Sequence, residues 1–181
     1  MLFRSAFIIA GGMHYQTPML AAIAAEFQAS PAEVGWIPTL SFGGMLTGVI
    51  LLVPLGDRID KRPLILFKLA LLGVAQAAMA MAPSLGVLAL ASFVTGISSC
   101  LAQSFIAIVV DIAPPERRGR AVGTQLTALF VGILFARIVG GLIATHFGWR
   151  MSYVLSTVLI VALAPLLAAR LPSTRPTTDA G

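Results

Sequence analysis

Six apolar stretches follow one another along this chain, each long enough to cross a bilayer, with only short polar turns between them. A helix needs about 20 apolar residues to span ~30 Å of hydrocarbon, and no other feature of the sequence narrows the choice of fold as far. The pattern predicts membrane helices over 3–27, 32–56, 63–82, 85–113, 120–146 and 150–169, followed by a disordered cytoplasmic tail over 171–181. Of 181 residues, 58% are hydrophobic and 10% charged, whereas a soluble domain is about a quarter charged. A soluble chain this short must cover its surface with polar groups that this one lacks. No segment alternates with period two over the length of a barrel strand, which argues against a transmembrane β-barrel. Arg4 precedes the first run as in a signal peptide, yet that run continues to Phe27 and five more follow, so it reads as a membrane helix.

The net charge is +5, from 12 basic and 7 acidic residues. The basic residues lie between apolar runs and not along one helix face, which points to membrane orientation and away from nucleic acid. Arg4, Arg58, Lys61, Arg62, Lys68, Arg117, Arg118, Arg120, Arg170 and Arg175 fall on one side, while Arg150 is alone on the other and Arg137 lies inside a run. Positive charge stays inside, so both termini are expected in the cytoplasm, in agreement with an even number of spans. The expected location is a bacterial-type inner membrane. The single cysteine, Cys100, lies within an apolar run and reads as a small packing residue. No disulfide, metal site, cofactor motif or catalytic constellation is present in the sequence, so no enzyme activity is expected.

Several turns carry their own mechanics. Ser30-Pro31-Ala32-Glu33 is a capping box with proline at the first helical position, a start signal for the second helix. Pro63 is placed to open the third helix, Pro83-Ser84 separates the third and fourth, and Pro114-Pro115 ends the fourth. Gly48 and Gly56-Asp57-Arg58 recur at the same spacing as Gly140 and Gly148-Trp149-Arg150, on the opposite membrane side, as inverted three-helix repeats require.

The segment Pro54-Leu55-Gly56-Asp57-Arg58-Ile59-Asp60-Lys61-Arg62-Pro63 resembles the signature between helices 2 and 3 of the major facilitator superfamily. Leu55, Asp57, Arg58, Lys61 and Arg62 match it, whereas Val53 and Asp60 stand where the family usually has glycine. The resemblance extends through the helix spacing to the whole chain and includes His14-Tyr15-Gln16-Thr17-Pro18 and Pro114-Pro115-Glu116-Arg117-Arg118-Gly119-Arg120. It implies an all-α membrane fold of six transmembrane helices, arranged as two inverted three-helix repeats, equivalent to the amino-terminal half-bundle of a transporter. It also implies a conformational latch made of Asp57, Arg58, Lys61 and Arg62. Asp57 stands at the carboxyl end of a helix, where the dipole disfavours an anion, so a positive partner is needed. Asp111, near the end of the fourth helix, is placed to pair with Lys61 or Arg62. The alternative is that these charges mark a solvated turn.

Small residues mark packing faces. Gly44 and Gly48 in the second helix, and Thr124, Ala128, Gly132, Ala136, Gly140 and Ala144 in the fifth, recur every four residues and let helix backbones approach. The stretch from Gly132 to Gly141 resembles the family's antiporter motif, with Arg137 where that motif has proline. An arginine at that depth costs about 2.5–3.5 kcal/mol on insertion scales. It must therefore face the bundle interior, a watery cavity or a partner, either as a contact for an anionic or polar solute or as a structural clamp.

Further candidates for a substrate pathway are His14, Tyr15 and Gln16 near the middle of the first helix, together with Gln76, Gln103 and Gln125. His14 suits proton carriage and equally suits a hydrogen-bonded packing role. Glu26 and Glu33 read as solvated ends. The expected function is solute transport by alternating access, as efflux or proton-coupled transport, with lipid, a small-molecule solute and a second six-helix half, on the same or another chain, as partners. A half-size transporter, a fragment of a disrupted gene and a non-transporting interaction protein are the competing explanations of a chain with six spans.

Overall fold

The computed structural model describes residues 16–170, so His14, Tyr15 and the tail over 171–181 lie outside the described residues. The described residues form helices joined by short turns: α1 (Gln16–Phe27), α2 (Pro31–Arg58), α3 (Lys61–Ala80), α4 (Leu85–Ser98), α5 (Leu101–Ile112), α6 (Arg118–Phe147) and α7 (Trp149–Arg170), with a single 3₁₀ turn at Pro115–Arg117. Among the described residues, four stretches are long and apolar enough to cross a membrane, Pro31–Gly56, Lys61–Ala80, Pro115–Phe147 and Trp149–Ala169, and Leu85–Ser98 is a shorter apolar helix. The chain is an all-α integral membrane protein. The turns at 59–60 and 113–117 define one end of the bundle, called proximal below; those at 28–30, 81–84 and 148 define the distal end.

Several termini satisfy backbone groups that lipid would leave unpaired. Gln28 takes the left-handed conformation (φ 50°) after α1, and the amide of Ala29 returns 3.0 Å to the carbonyl of Ala24, closing the helix in a Schellman-type turn. The capping box forms: Ser30 Oγ accepts from the Glu33 amide at 3.3 Å, and Glu33 Oε2 accepts from the Ser30 amide at 2.8 Å. The start of α3 differs from the reading that placed Pro63 at its first position. Asp60 caps it by accepting from the Arg62 amide at 3.0 Å, so the helix begins at Lys61. At the distal end Gly148 (φ 84°) connects α6 directly to α7, a conformation that costs glycine least.

The fourth run, expected as one helix over 85–113, is broken. α4 ends at Ser98, α5 starts at Leu101, and Ser99 and Cys100 form a tight turn between them. The amide of Ser99 is shared between the carbonyls of Thr95 and Gly96 at 3.0 Å each, and the Ser99 hydroxyl donates to the Gly96 carbonyl at 2.6 Å. A serine hydroxyl that competes for a backbone carbonyl next to a glycine is a recognised cause of a helix bend. Hydropathy did not reveal this, because two serines and a cysteine within a long apolar run lower its mean only slightly.

The core has two centres. One, toward the distal end, gathers Met19, Ile23, Ile37, Met79, Leu88 and Tyr153 from α1, α2, α3, α4 and α7; the other gathers Ile65, Leu69, Leu72, Leu101, Ile160 and Leu167 from α3, α5 and α7. The antiparallel pair α3 and α7 forms the spine that runs through both.

Candidate functional site

α2 and α4 approach each other closely, backbone to backbone. A Cβ placed on Gly44 would lie 2.9 Å from the carbonyl carbon of Phe93, one on Gly48 2.8 Å from Cys100 Sγ, and one on Gly96 2.8 Å from the Met45 amide nitrogen. Only glycine fits at these positions. Ser41 Oγ donates to the Ser92 carbonyl at 3.2 Å across the same seam. Gly96, the mate of Gly44 and Gly48 in this seam, was missed in the sequence. The spacing Ser92, Gly96, Cys100 repeats every four residues and was the available signal.

On α6 the small-residue stripe is also a packing face. Ala128, Gly132, Ala136 and Gly140 are buried, Gly141 is half-buried, and the Gly140 carbonyl accepts from Ser152 Oγ at 3.1 Å. Another face of α6 carries exposed apolar residues, with Phe130, Leu134, Phe135 and Ile138 each more than half accessible. Arg137 is exposed among them. Gln76 and Gln125, expected along the same substrate pathway, are buried within the bundle, on α3 and α6. The side chains of Gln16, Gln103 and Asp111 lie outside the described residues.

The signature turn sits at the proximal end. Asp57 and Arg58 close α2, with side chains outside the described residues, and Lys61 opens α3. Arg62 Nη2 donates to the carbonyl of Ala168 at 2.6 Å, in the last turn of α7. It thus supplies positive charge where that helix presents unpaired carbonyls. Arg117, Arg120, Ala121 and Thr124 line a cleft of about 470 Å³ at the start of α6, while Arg118 turns back to the carbonyl of Ala113 at 3.2 Å.

At the distal end a matching arginine performs the same service in reverse. Arg150, at the start of α7, donates from Nη2 to the carbonyl of Ala82, just past the end of α3, at 2.9 Å. Its other terminal nitrogen pairs with Glu26, and its guanidinium lies 4.4 Å from the centre of the Trp149 ring. Trp149 Nε1 also donates to Glu26 at 2.6 Å. Glu26 is exposed, as the sequence suggested, and is paired as well. It joins α1 to α7 and, through Arg150, to α3. The residue that stood alone in the charge count, Arg150, was the signal.

Lys68 corrects the charge count as well. Grouped with the basic residues of the proximal turn, it proves to be fully buried two turns inside α3, with Nζ donating to Ser104 Oγ on α5 at 3.0 Å. Seven residues along a helix cover about 10 Å, so this ammonium lies well below the turn.

Residues 2–181 match the family model for the Major Facilitator Superfamily. Over 165 residues the chain is 35% identical to the "Putative uncharacterized transporter YgaY" of Escherichia coli (strain K12), covering 91% of this chain and 42% of that protein. It is 33% identical to the "Probable transporter SCO4007" of Streptomyces coelicolor, covering 93% of this chain and 39% of that protein. It is 27% identical to the "Niacin transporter NiaP" of Acinetobacter baylyi, covering 76% of this chain and 31% of that protein. The chain thus spans less than half the length of these relatives, which are named as transporters and not as enzymes. With its helical membrane fold, its signature turn and a family match along nearly all of its length, the chain belongs to the major facilitator superfamily.

Proposed function

We propose that this chain supplies one six-helix half of a secondary-active carrier that moves a small organic anion by alternating access. One observation carries the reading: Arg137 is exposed on α6 among Phe130, Leu134 and Ile138, and the small-residue stripe of the same helix is buried. A guanidinium in a membrane helix is stable only against water or an anionic partner, and its planar fork suits a carboxylate. The relative named for niacin, an aromatic carboxylic acid, points to the same chemistry. A second six-helix bundle, of the same or another chain, would cover the exposed faces of α2 and α6 and complete the cavity. His14, Tyr15, Gln16 and Gln103 are the further groups proposed along the path, and Asp57, Arg58, Lys61, Arg62 and Asp111 the charges of the proximal latch. Both termini are proposed to face the cytoplasm of a bacterial inner membrane.

The test is flux of radiolabelled niacin and related aromatic acids in proteoliposomes, with and without an imposed pH gradient. Arg137→Gln is expected to lower uptake by about tenfold or more, the worth of a charge-assisted hydrogen bond, with Arg137→Lys retaining part of it. Stimulation by the gradient supports proton coupling, and its absence counts against it. Wild-type flux in Arg137→Gln, combined with a lowered melting temperature, would assign Arg137 to structure alone. Stable capture of a protein partner with no flux would favour the interaction-protein reading.

A further inference from the structure

Lys68 is a costly residue to bury, and it is buried in a specific place. From its depth in α3 a lysine stem has the length to reach toward the proximal interface, the usual course for a cation near a helix end. It does not take that course. Its side chain is fully inaccessible, and Nζ donates to Ser104 Oγ at 3.0 Å. Ser104 in turn donates from both its hydroxyl and its amide to the carbonyl of Cys100, each at 3.3 Å. The charge of α3 is thereby relayed to the backbone at the break between α4 and α5. Cys100 immediately precedes α5, so its carbonyl takes the first hydrogen bond of that helix, from the Ser104 amide, and the Ser104 hydroxyl adds a second; within a membrane, water does not supply such bonds.

The two sides of the break are held by different neighbours. On the α4 side, the glycine seam locks the helix to α2, and Cys100 Sγ donates to the Met45 carbonyl at 3.7 Å. On the α5 side, Leu101 and Ile108 pack into the core centre built on α3 and α7. The hydrogen bond from Lys68 is a polar tie between α3 and this second segment just beneath the bend. We propose that Lys68 is a positioning residue that sets the angle of the broken fourth span through Ser104, and that loss of this tie lets Leu101–Ile112 swing separately from α4. In an alternating-access cycle such a bend would let one end of the span move while the seam with α2 stays closed. That consequence rests on the transport reading; the hinge itself does not.

The chain carries its own reporter, because Cys100 is its sole cysteine and is buried at the bend. The experiment is the rate of Cys100 alkylation by N-ethylmaleimide on the full chain in membrane vesicles, well below the melting temperature, with no solute added. Wild-type protein is expected to react slowly. Ser104→Ala and Lys68→Met are expected to react about tenfold faster, as local opening exposes the thiol. Ser104→Thr, which keeps the hydroxyl, is expected to return to the slow rate. Removing a positive charge near a thiol by itself slows alkylation, so acceleration in Lys68→Met reports access and not charge. Wild-type rates in both folded variants, or equal rates in Ser104→Thr and Ser104→Ala, would overturn the proposal. If Lys68→Met does not fold, the two Ser104 variants decide it. Because transport is not read, failure here leaves the proposed function standing, and failure of the flux assay leaves the hinge standing.

Discussion

Gly96→Ala is expected to abolish most of the folded protein recoverable in mild detergent. The added methyl group would overlap the Ser41 carbonyl and come within 2.8 Å of the Met45 amide nitrogen. Both obstacles are backbone, so no rotamer change relieves them, and α2 must move away from α4. Separation would also stretch the Ser41–Ser92 hydrogen bond and the contact of Gly48 with Cys100. Overpacking a tight core costs about 1–3 kcal/mol, and a seam with no side chain to yield belongs at the upper end of that range. Gly44→Ala is expected to behave alike. Gly35→Ala and Gly43→Ala, on the same α2 but with nothing within 4 Å of the new atom, are expected to match wild type. The measurement is the thermal transition of detergent-solubilised protein followed by size-exclusion chromatography. A Gly96→Ala protein that melts with wild type would contradict the seam.

The second large effect is expected from Arg150→Ala. The side chain pairs with Glu26, donates to Ala82 and stacks on Trp149, so one truncation releases α1, α3 and α7 from each other. Hydrogen bonds to charged groups contribute about 1.5–3 kcal/mol each. The side chains of Arg150 and Glu26 are 36% and 43% exposed, however, so water screens part of the attraction. A net loss of about 2 kcal/mol is expected after that discount. Arg150→Lys should recover little, because an ammonium cannot reach carboxylate and carbonyl in the same fork. Glu26→Gln keeps the shape and removes the charge; combined with Arg150→Ala in a double-mutant cycle, it separates the ion pair from the carbonyl contact. Full stability in Arg150→Lys would show that geometry is not what holds the distal end.

The architecture was legible because hydrocarbon imposes length and apolarity on every span, and those quantities are local. The capping box at Ser30 and Glu33 and the stripe through Ala128, Gly132, Ala136 and Gly140 were legible for the same reason: each lies within one helical repeat or turn. What escaped was the choice of partner. Glu26 meets Arg150 and Trp149 more than a hundred residues away, and a charge at a helix end looks the same from the sequence whether solvated or clasped. Lys68 was grouped with the proximal turn because charge counting ignores depth and direction. Gly96 was overlooked because its row, Ser92, Gly96 and Cys100, is short, holds a single glycine and ends at the break in the fourth span. The bend at Ser99 and Cys100 changes hydrogen-bond geometry with little change in hydropathy. In the candidate site, Arg137 announced itself by its cost, while Gln76 and Gln125, whose amides suit packing as well as lining, proved to be buried.

The glycine seam also bears on biogenesis. Ser41 and Ser92 are 51 positions apart, so α2 is synthesised and delivered to the bilayer well before α4 exists, and all of α3 must be threaded across in between. During that interval the bare face at Gly44 and Gly48 has no mate, and acyl chains fill a groove shaped for another backbone. The α3–α7 spine closes later still, when the last helix arrives. Assembly therefore cannot proceed by zipping successive hairpins: the nascent helices must be held side by side, loosely, until late arrivals displace lipid from between them, and a ribosome that stalls before Leu85 leaves a membrane intermediate whose most specific surface is empty.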